Sequence, residues 1–158
     1  VAGLDIAFNV NENMLDEDDS RLKQSFAAEN LTTFGIILKK CAEISEYTNA
    51  FNHLITLNSS MIDYEIKSLS PLGGGSISLM EKFMRMLIEM FNSNVNFELA
   101  QSYLALFLKS HEELVAGSES LMEALEEIER AQNESWMKIE QKLFYGIGVV
   151  SNLRNYCC

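Results

Sequence analysis

Residues 96–115, NFELAQSYLALFLKSHEELV, decide the fold class of this chain. Apolar residues run without a break from Tyr103 to Leu108, and neither Pro nor Gly follows until Gly117. An uninterrupted segment of this length would be unusually long for a strand. When the segment is placed on a helical wheel at 100° per residue, its polar side chains fall on one narrow stripe, and the other positions are mostly apolar. The pattern predicts a helix packed from at least two sides. The stripe consists of Glu98, Gln101, Ser102, Ala105, Lys109, Glu112 and Glu113.

Composition restricts the class of protein. At 158 residues the chain has the size of one domain, able to bury roughly 70% of its unfolded surface. Its net charge of −11, from 23 acidic and 12 basic residues, repels a phosphate backbone and predicts no direct nucleic-acid binding. No apolar run approaches the roughly 20 residues of a membrane span, so no membrane is expected.

The first residue and the cysteines of the sequence predict a fragment of a longer protein in a reducing compartment. Because the sequence starts at Val1 without Met or a leader, we expect a fragment whose upstream part is missing. Cys41 stands alone and Cys157 and Cys158 are adjacent, so no disulfide framework or metal spacing is available. This usage favours a reducing, intracellular compartment.

The first residues form a possible arm. Leu4, Ile6, Phe8 and Val10 alternate with polar or small residues, as in a strand. A lone strand must pair with something outside this chain or lie in an apolar groove, which makes these four residues candidates for partner binding. A disordered lead-in is the alternative. We therefore predict an extended arm and acidic linker over residues 1–19 and a helical domain over residues 20–158.

The remaining sequence predicts an all-α fold in which antiparallel helical hairpins stack as a small array behind the strand-like N-terminal arm. Helical patterns cover residues 20–29 and 32–47. Capping boxes at residues 60–63, 78–81 and 120–123 predict three further helix starts, and PLGGGS at residues 71–76 predicts a flexible break. The expected core positions of the second pattern are Phe34, Ile37, Leu38, Cys41 and Ile44.

Catalytic and cofactor chemistry is not expected. His53 and His111 have no second ligand at metal spacing, and His111 faces away from the polar stripe, as a packed histidine with one satisfied nitrogen would. Residues 72–76, LGGGS, lack the lysine of a phosphate-binding loop. The helical methionines fill either the core or an adaptable binding surface. They are Met80, Met84, Met86 and Met90.

The final helix carries the strongest partner-binding hypothesis. From Trp136 onward, Met137 and Phe144 add a second apolar line beside the main stripe. Either a partner protein binds this pair, or another helix of the domain covers it. Gly146 and Gly148 either admit a neighbouring backbone or end the helix. The main stripe, interpreted as core along its whole length, consists of Leu121, Leu125, Ile128, Trp136, Ile139, Leu143 and Val150.

Two segments resemble the C-terminal helical domain of the U-three protein twenty-one family, WD-repeat subunits of the UTP-B part of the small-subunit processome. These are residues 58–69, NSSMIDYEIKSL, and residues 96–115. Ser59 stands where the family usually has Pro, and Lys67 where it has Arg. The likeness is good over residues 58–115 and looser in the opening segment and the last helix. The matching residues of the first segment are Ser60, Ile62, Asp63, Glu65, Ile66, Ser68 and Leu69.

The resemblance implies a nuclear, nucleolar scaffold protein with two β-propellers upstream of this fragment. Its helical tail would join other UTP-B subunits in a hetero-oligomeric complex during small-subunit ribosomal RNA maturation. A helical adaptor or solenoid module of an unrelated cytosolic complex is the alternative. An enzyme ranks third, because the sequence shows no nucleophile–base pair.

Overall fold

A computed structural model describes residues 30–156, which contain helices and turns but no strand. The all-α prediction is therefore confirmed for this part of the chain. The arm residues Leu4, Ile6, Phe8 and Val10 and the predicted helix over 20–29 lie outside the described residues, so the proposed boundary at residue 20 stays a prediction. The helices are α1 (Thr33–Ile44), α2 (Thr48–Thr56), α3 (Ser59–Lys67), α4 (Ile77–Ser93), α5 (Phe97–Gly117) and α6 (Glu119–Tyr156), with a 3₁₀ turn at Pro71–Gly73.

Helix α4 lies at the centre and contacts α1, α2, α5 and α6. Its polar residues share one edge, where Arg85 is exposed and Glu81, Lys82 and Glu89 are half-buried. The four methionines of α4 are buried, so they fill the core rather than a binding surface. The buried side chains of α4 are Leu79, Met80, Phe83, Met84, Met86, Leu87, Ile88, Met90 and Phe91.

Helices α4, α5 and α6 form an up-down-up bundle. The Phe83 ring stacks on Phe107 at 5.1 Å between centroids, and Phe91 meets Phe97 edge-on at 5.4 Å, so α4 and α5 are antiparallel. The hydroxyl of Ser135 in α6 donates a hydrogen bond to the carbonyl of Phe91, near the end of α4. The beginnings of α4 and α6 also lie together, around residues 81 and 120, so these two helices run parallel.

The first three helices cover the α4–α5 hairpin. Phe34 of α1 meets Phe83 edge-on at 6.1 Å, and Phe51 of α2 meets Tyr103 at 5.6 Å. Helix α3 is held by His111, whose Nε2 lies 2.9 Å from the carbonyl oxygen of Ile66. Since a carbonyl only accepts, Nε2 carries the proton. The prediction of a packed histidine with one satisfied nitrogen is confirmed, since His111 is 5% exposed.

The predicted capping boxes are wrong. Helix α3 is capped by Asn58, whose Oδ1 accepts from the amide of Met61 at 2.9 Å, and α4 by Ser76, whose Oγ accepts from the amide of Leu79 at 3.1 Å. Both caps lie two residues before the predicted serine, in extended backbone. Helix α6 begins at Glu119, which places Ser120 inside its first turn. In α3 and α4, a side-chain oxygen that lies earlier in the sequence accepts the capping hydrogen bond from the first turn of the helix.

The expected core of α1 needs one correction. Phe34, Leu38 and Cys41 are buried and Ile37 is half-buried, as expected. Ile44 is 65% exposed. Ile44 is the last residue of the helix, because Ser45 after it turns the chain in a left-handed conformation with φ of 54°.

The glycine-rich segment is a tight turn rather than a flexible break. The amide of Gly75 donates to the carbonyl of Ser70 at 2.9 Å, and that of Ser76 to the carbonyl of Leu69 at 3.0 Å. A Cβ atom on Gly75 would lie 2.1 Å from the Leu69 carbonyl oxygen, and one on Gly73 would lie 2.6 Å from the backbone of residues 67 and 68. The glycines are needed because the chain packs against itself here.

We expect Gly75→Ala to destabilise the domain by about 1–3 kcal/mol, since the added methyl group must displace backbone. Urea unfolding followed by circular dichroism measures the change. Gly117→Ala is the matched control, because nothing lies within 4 Å of a Cβ at Gly117. Equal stability of the Gly75→Ala and Gly117→Ala variants would show that the turn can relax.

Stability should fall in alkaline solution because of Tyr103. Burial raises the pKa of Tyr103 above its ordinary value of 10.0, so its phenol ionises in the unfolded chain before it does in the folded one. This contribution is fully present below pH 10.0 and is lost as pH rises through the folded-state pKa. Tyr103→Phe should therefore lose less stability than the unsubstituted protein between about pH 8 and about pH 11. Parallel losses would contradict this assignment, and Tyr64→Phe, at an exposed position, controls for removal of a hydroxyl.

Candidate partner-binding surface

Helix α6 continues far beyond the bundle that holds its first half. It has 38 residues, compared with 17 in α4 and 21 in α5. At 1.5 Å per residue, α6 is about 57 Å long and α4 about 26 Å. The last buried residue of α6 is Ser135, and from residue 136 to residue 156 every side chain is exposed except that of Ile139, which is half-buried. We call residues 136–156 the α6 overhang.

The α6 overhang is rich in large apolar side chains. Folded monomers rarely expose contiguous apolar patches of more than a few hundred Å² unless the patch binds something. Aromatic residues and Met are also the types enriched in the buried parts of protein interfaces. The exposed large apolar and aromatic residues here are Trp136, Met137, Leu143, Phe144, Tyr145, Ile147, Val149, Val150, Leu153 and Tyr156.

Most of these residues continue the face that α6 buries in the bundle. At 100° per residue, one arc of about 160° extends from Val149 to Ile147 around the helix. Leu121, Ile128 and Ser135, which are buried in the first half of α6, point into the same arc. Lys142 and Arg154 are its only charged members. We call this arc the main apolar face; its other members are Trp136, Ile139, Leu143, Gly146, Val150 and Leu153.

The structure shows which of the apolar residues predicted on the final helix are covered and which are exposed. Met137 is 58% and Phe144 is 67% exposed, so no helix among residues 30–156 covers them. The interpretation of the main stripe as core along its whole length is wrong beyond Ser135. Leu143 is 59% exposed and Val150 is 65% exposed, because α4 and α5 have ended while the apolar period of α6 continues.

The two glycines of the overhang do not end the helix. Helix α6 continues through Gly146 and Gly148 to Tyr156. Nothing lies within 4 Å of a Cβ placed on either glycine. Gly146 lies on the main apolar face, so it leaves a shallow position where a neighbouring helix can approach closely.

The base of the overhang is a groove at the end of the bundle. The rings of Phe97 and Trp136 stack with centroids 6.5 Å apart and planes 30° apart. Leu99 and Ile139 provide further apolar walls, and Glu98 and Gln101 form polar walls. The main apolar face thus meets the first turn of α5 at the contact between Trp136 and Phe97.

Charge divides α6 at the same place. Residues 119–135 contain six acidic residues and one basic residue, a net charge of −5. The overhang contains Lys138, Lys142 and Arg154 against Glu140, a net charge of +2. In a chain of net charge −11, the overhang is therefore a basic extension of an acidic domain.

Neither a metal cluster nor a membrane-spanning helix is found in the described part of the chain. Among residues 30–156, no three His, Cys, Asp or Glu side chains are grouped as a metal site. Within the same residues, no helix has the length and apolar content needed to cross a membrane. His53 stacks on Phe34 at 6.4 Å and His111 binds backbone, which gives both histidines packing roles.

Comparison with known proteins identifies relatives of the chain. Residues 5–154 match the family model described as the Utp21 specific WD40 associated putative domain. WD repeat-containing protein 36 of Homo sapiens is 28% identical over 155 residues, a match that covers 98% of this chain and 17% of that protein. The chain thus spans about a sixth of its human relative, and neither name denotes an enzyme.

We expect Met137→Glu combined with Phe144→Glu to leave the fold intact, because both side chains are already in water. The change in unfolding free energy should stay within about 0.5 kcal/mol for each site. Ile128→Glu, which puts a charge at a buried position of the same helix, should cost several kcal/mol. Thermal unfolding and helicity by circular dichroism measure both. Loss of the fold in the double variant would mean that residues 137 and 144 are covered.

Proposed function

Because the chain belongs to the family of Utp21-specific WD40-associated domains, we propose that it is a protein–protein assembly domain of a nucleolar small-subunit processome component. In this role it supports pre-rRNA processing and small ribosomal subunit biogenesis. The observation that carries the proposal is the α6 overhang, a long apolar helical surface that its own bundle leaves uncovered.

The shape of the overhang suits protein binding. Extended helices with apolar residues at spacings of three and four bind other helices through a continuous seam of side chains. Trp136, Phe144 and Tyr145 supply large side chains of the kind that dominate binding energy at interfaces. A small-molecule site is a concave pocket, whereas this surface projects from the bundle and is exposed along its length.

The proposed partners are other UTP-B subunits in a hetero-oligomeric nuclear complex. The relative's name supports WD repeats elsewhere in the full-length protein, since the chain covers only 17% of that relative. We propose that upstream WD-repeat propellers position this helical domain. Direct nucleic-acid binding is not part of the proposal, because the net charge of −11 opposes it.

Residues 4, 6, 8 and 10 are a second proposed contact. Leu4, Ile6, Phe8 and Val10 alternate in sequence, which suits an extended segment that binds a sheet edge or an apolar groove. These residues lie outside the described ones, so this contact rests on the sequence alone. A helical adaptor of an unrelated cytosolic complex would use the same overhang, but the family match over residues 5–154 favours the processome.

The test is co-purification of the full-length protein from nuclear extract. Met137→Glu with Phe144→Glu should reduce recovery of UTP-B subunits by about ten-fold or more, because it puts two charges into the proposed interface, on the side of the overhang next to the main apolar face. The matched control is Tyr64→Glu with Leu72→Glu, which alters exposed apolar residues far from the overhang and should leave recovery unchanged. Unchanged recovery with the overhang variant, at normal protein levels, would reject this surface.

A further inference from the structure

We infer that the main apolar face of the α6 overhang is covered by an antiparallel pair of helices from another protein, with acidic residues along their edges. These helices would occupy, along the second half of α6, the places that α4 and α5 occupy along the first half. The inference rests on the proposed function, since it requires that the overhang binds a protein.

The width of the face indicates two helices. A helix that binds a single neighbour needs an apolar stripe of roughly 100°. The main apolar face extends over about 160° from Val149 to Ile147. In the bundle, α6 contacts both α4 and α5, and those two helices bury the same side of it. One helix laid on the main apolar face would leave part of that face in water.

The end of the bundle is shaped to receive such a pair. Helix α4 ends at Ser93 and α5 begins at Phe97, so the connection between them is short. Asn94 and Asn96 take left-handed conformations with φ of 54°, which turns the chain back at once. Above this turn the groove lined by Phe97 and Ile139 opens toward the overhang. The ends of two partner helices can therefore pack against the α4–α5 turn.

The dimensions of the overhang agree with a hairpin of ordinary helices. The overhang is about 30 Å long at 1.5 Å per residue, similar to α4 and α5. Gly146 lies near its middle on the main apolar face and has open space around it. A partner helix can cross at that point at the short end of the usual 8–10 Å range of interaxial distances, roughly 8 Å.

Charge selects the partner chemistry and opposes a second copy of the chain. Lys142 lies within the main apolar face and Lys138 just beyond its edge, so helices that flank them with Glu or Asp gain favourable pairs. If two copies of this chain met overhang against overhang, each would present the same basic residues to the other. A heterologous hairpin with acidic edges meets no like charge at the overhang.

Site-specific photo-crosslinking in the full-length protein tests the hairpin. Benzoylphenylalanine at Val149 and, separately, at Ile147 places a probe at each edge of the main apolar face. We expect the two probes to label two different helices of one partner, joined by a short loop. Benzoylphenylalanine at Gln141, which lies outside the main apolar face on the same side as Met137 and Phe144, is the control and should not label that hairpin.

The outcomes separate this inference from the proposed function. Label on one helix only, on two different proteins, on a second copy, or on residues 1–29 of the same chain overturns the hairpin. An absence of label in a complex that still co-purifies also overturns it, while the assembly function stands. If the unsubstituted protein recovers no UTP-B subunit, the proposed function fails and the hairpin fails with it.

The acidic chemistry has its own test. Lys142→Glu should weaken the purified complex by about five-fold or more at moderate salt, whereas Lys142→Arg should leave its affinity within about two-fold. Gln141→Glu is the control for the added carboxylate, one residue away and outside the main apolar face; it changes the net charge by −1, and Lys142→Glu changes it by −2. Equal or tighter binding by Lys142→Glu would show that the partner is not acidic at this position.

Discussion

The burial of α4 on every side except one edge is the constraint on which the rest of the structure depends. A helix surrounded in this way must have neighbours on at least three sides, and α1, α5 and α6 supply them. Phe83 joins two of these neighbours, since it contacts both Phe34 and Phe107. The contact continues through the edge of His111 to the Ile66 carbonyl, so the position of α3 also depends on α4.

Helix α6 divides its length between two tasks. Its first half completes the bundle around α4, and its second half carries the same kind of face into solvent. Because one unbroken helix joins the two halves, the orientation of the exposed face is fixed by the packing of Leu121 and Ile128. The domain therefore presents a pre-formed surface. Such a surface loses less conformational entropy on binding than an unfolded segment would.

Much of the fold could be predicted from the sequence, because periodicity reports which face of a helix is apolar. Periodicity locates the polar stripe of α5 and the packed side of His111, but it leaves the α4 methionines open between core and binding surface. Periodicity does not report what covers a face, so the apolar period predicts Trp136, Leu143 and Val150 as core although all three are exposed. Helix starts were misplaced because Asn58 and Ser76 accept the capping bonds before the predicted serines do.

The glycine-rich turn is a poor site for an insertion. A designer who wants to insert a fluorescent tag or a protease cleavage site would choose residues 71–76, because PLGGGS looks like a natural linker. The backbone there is packed against Leu69 and bonded to Ser70, so an insertion would separate α3 from α4 and disturb the core around Ile66. The junction at Gly117 and Ser118 is the better insertion point, since open space surrounds Gly117.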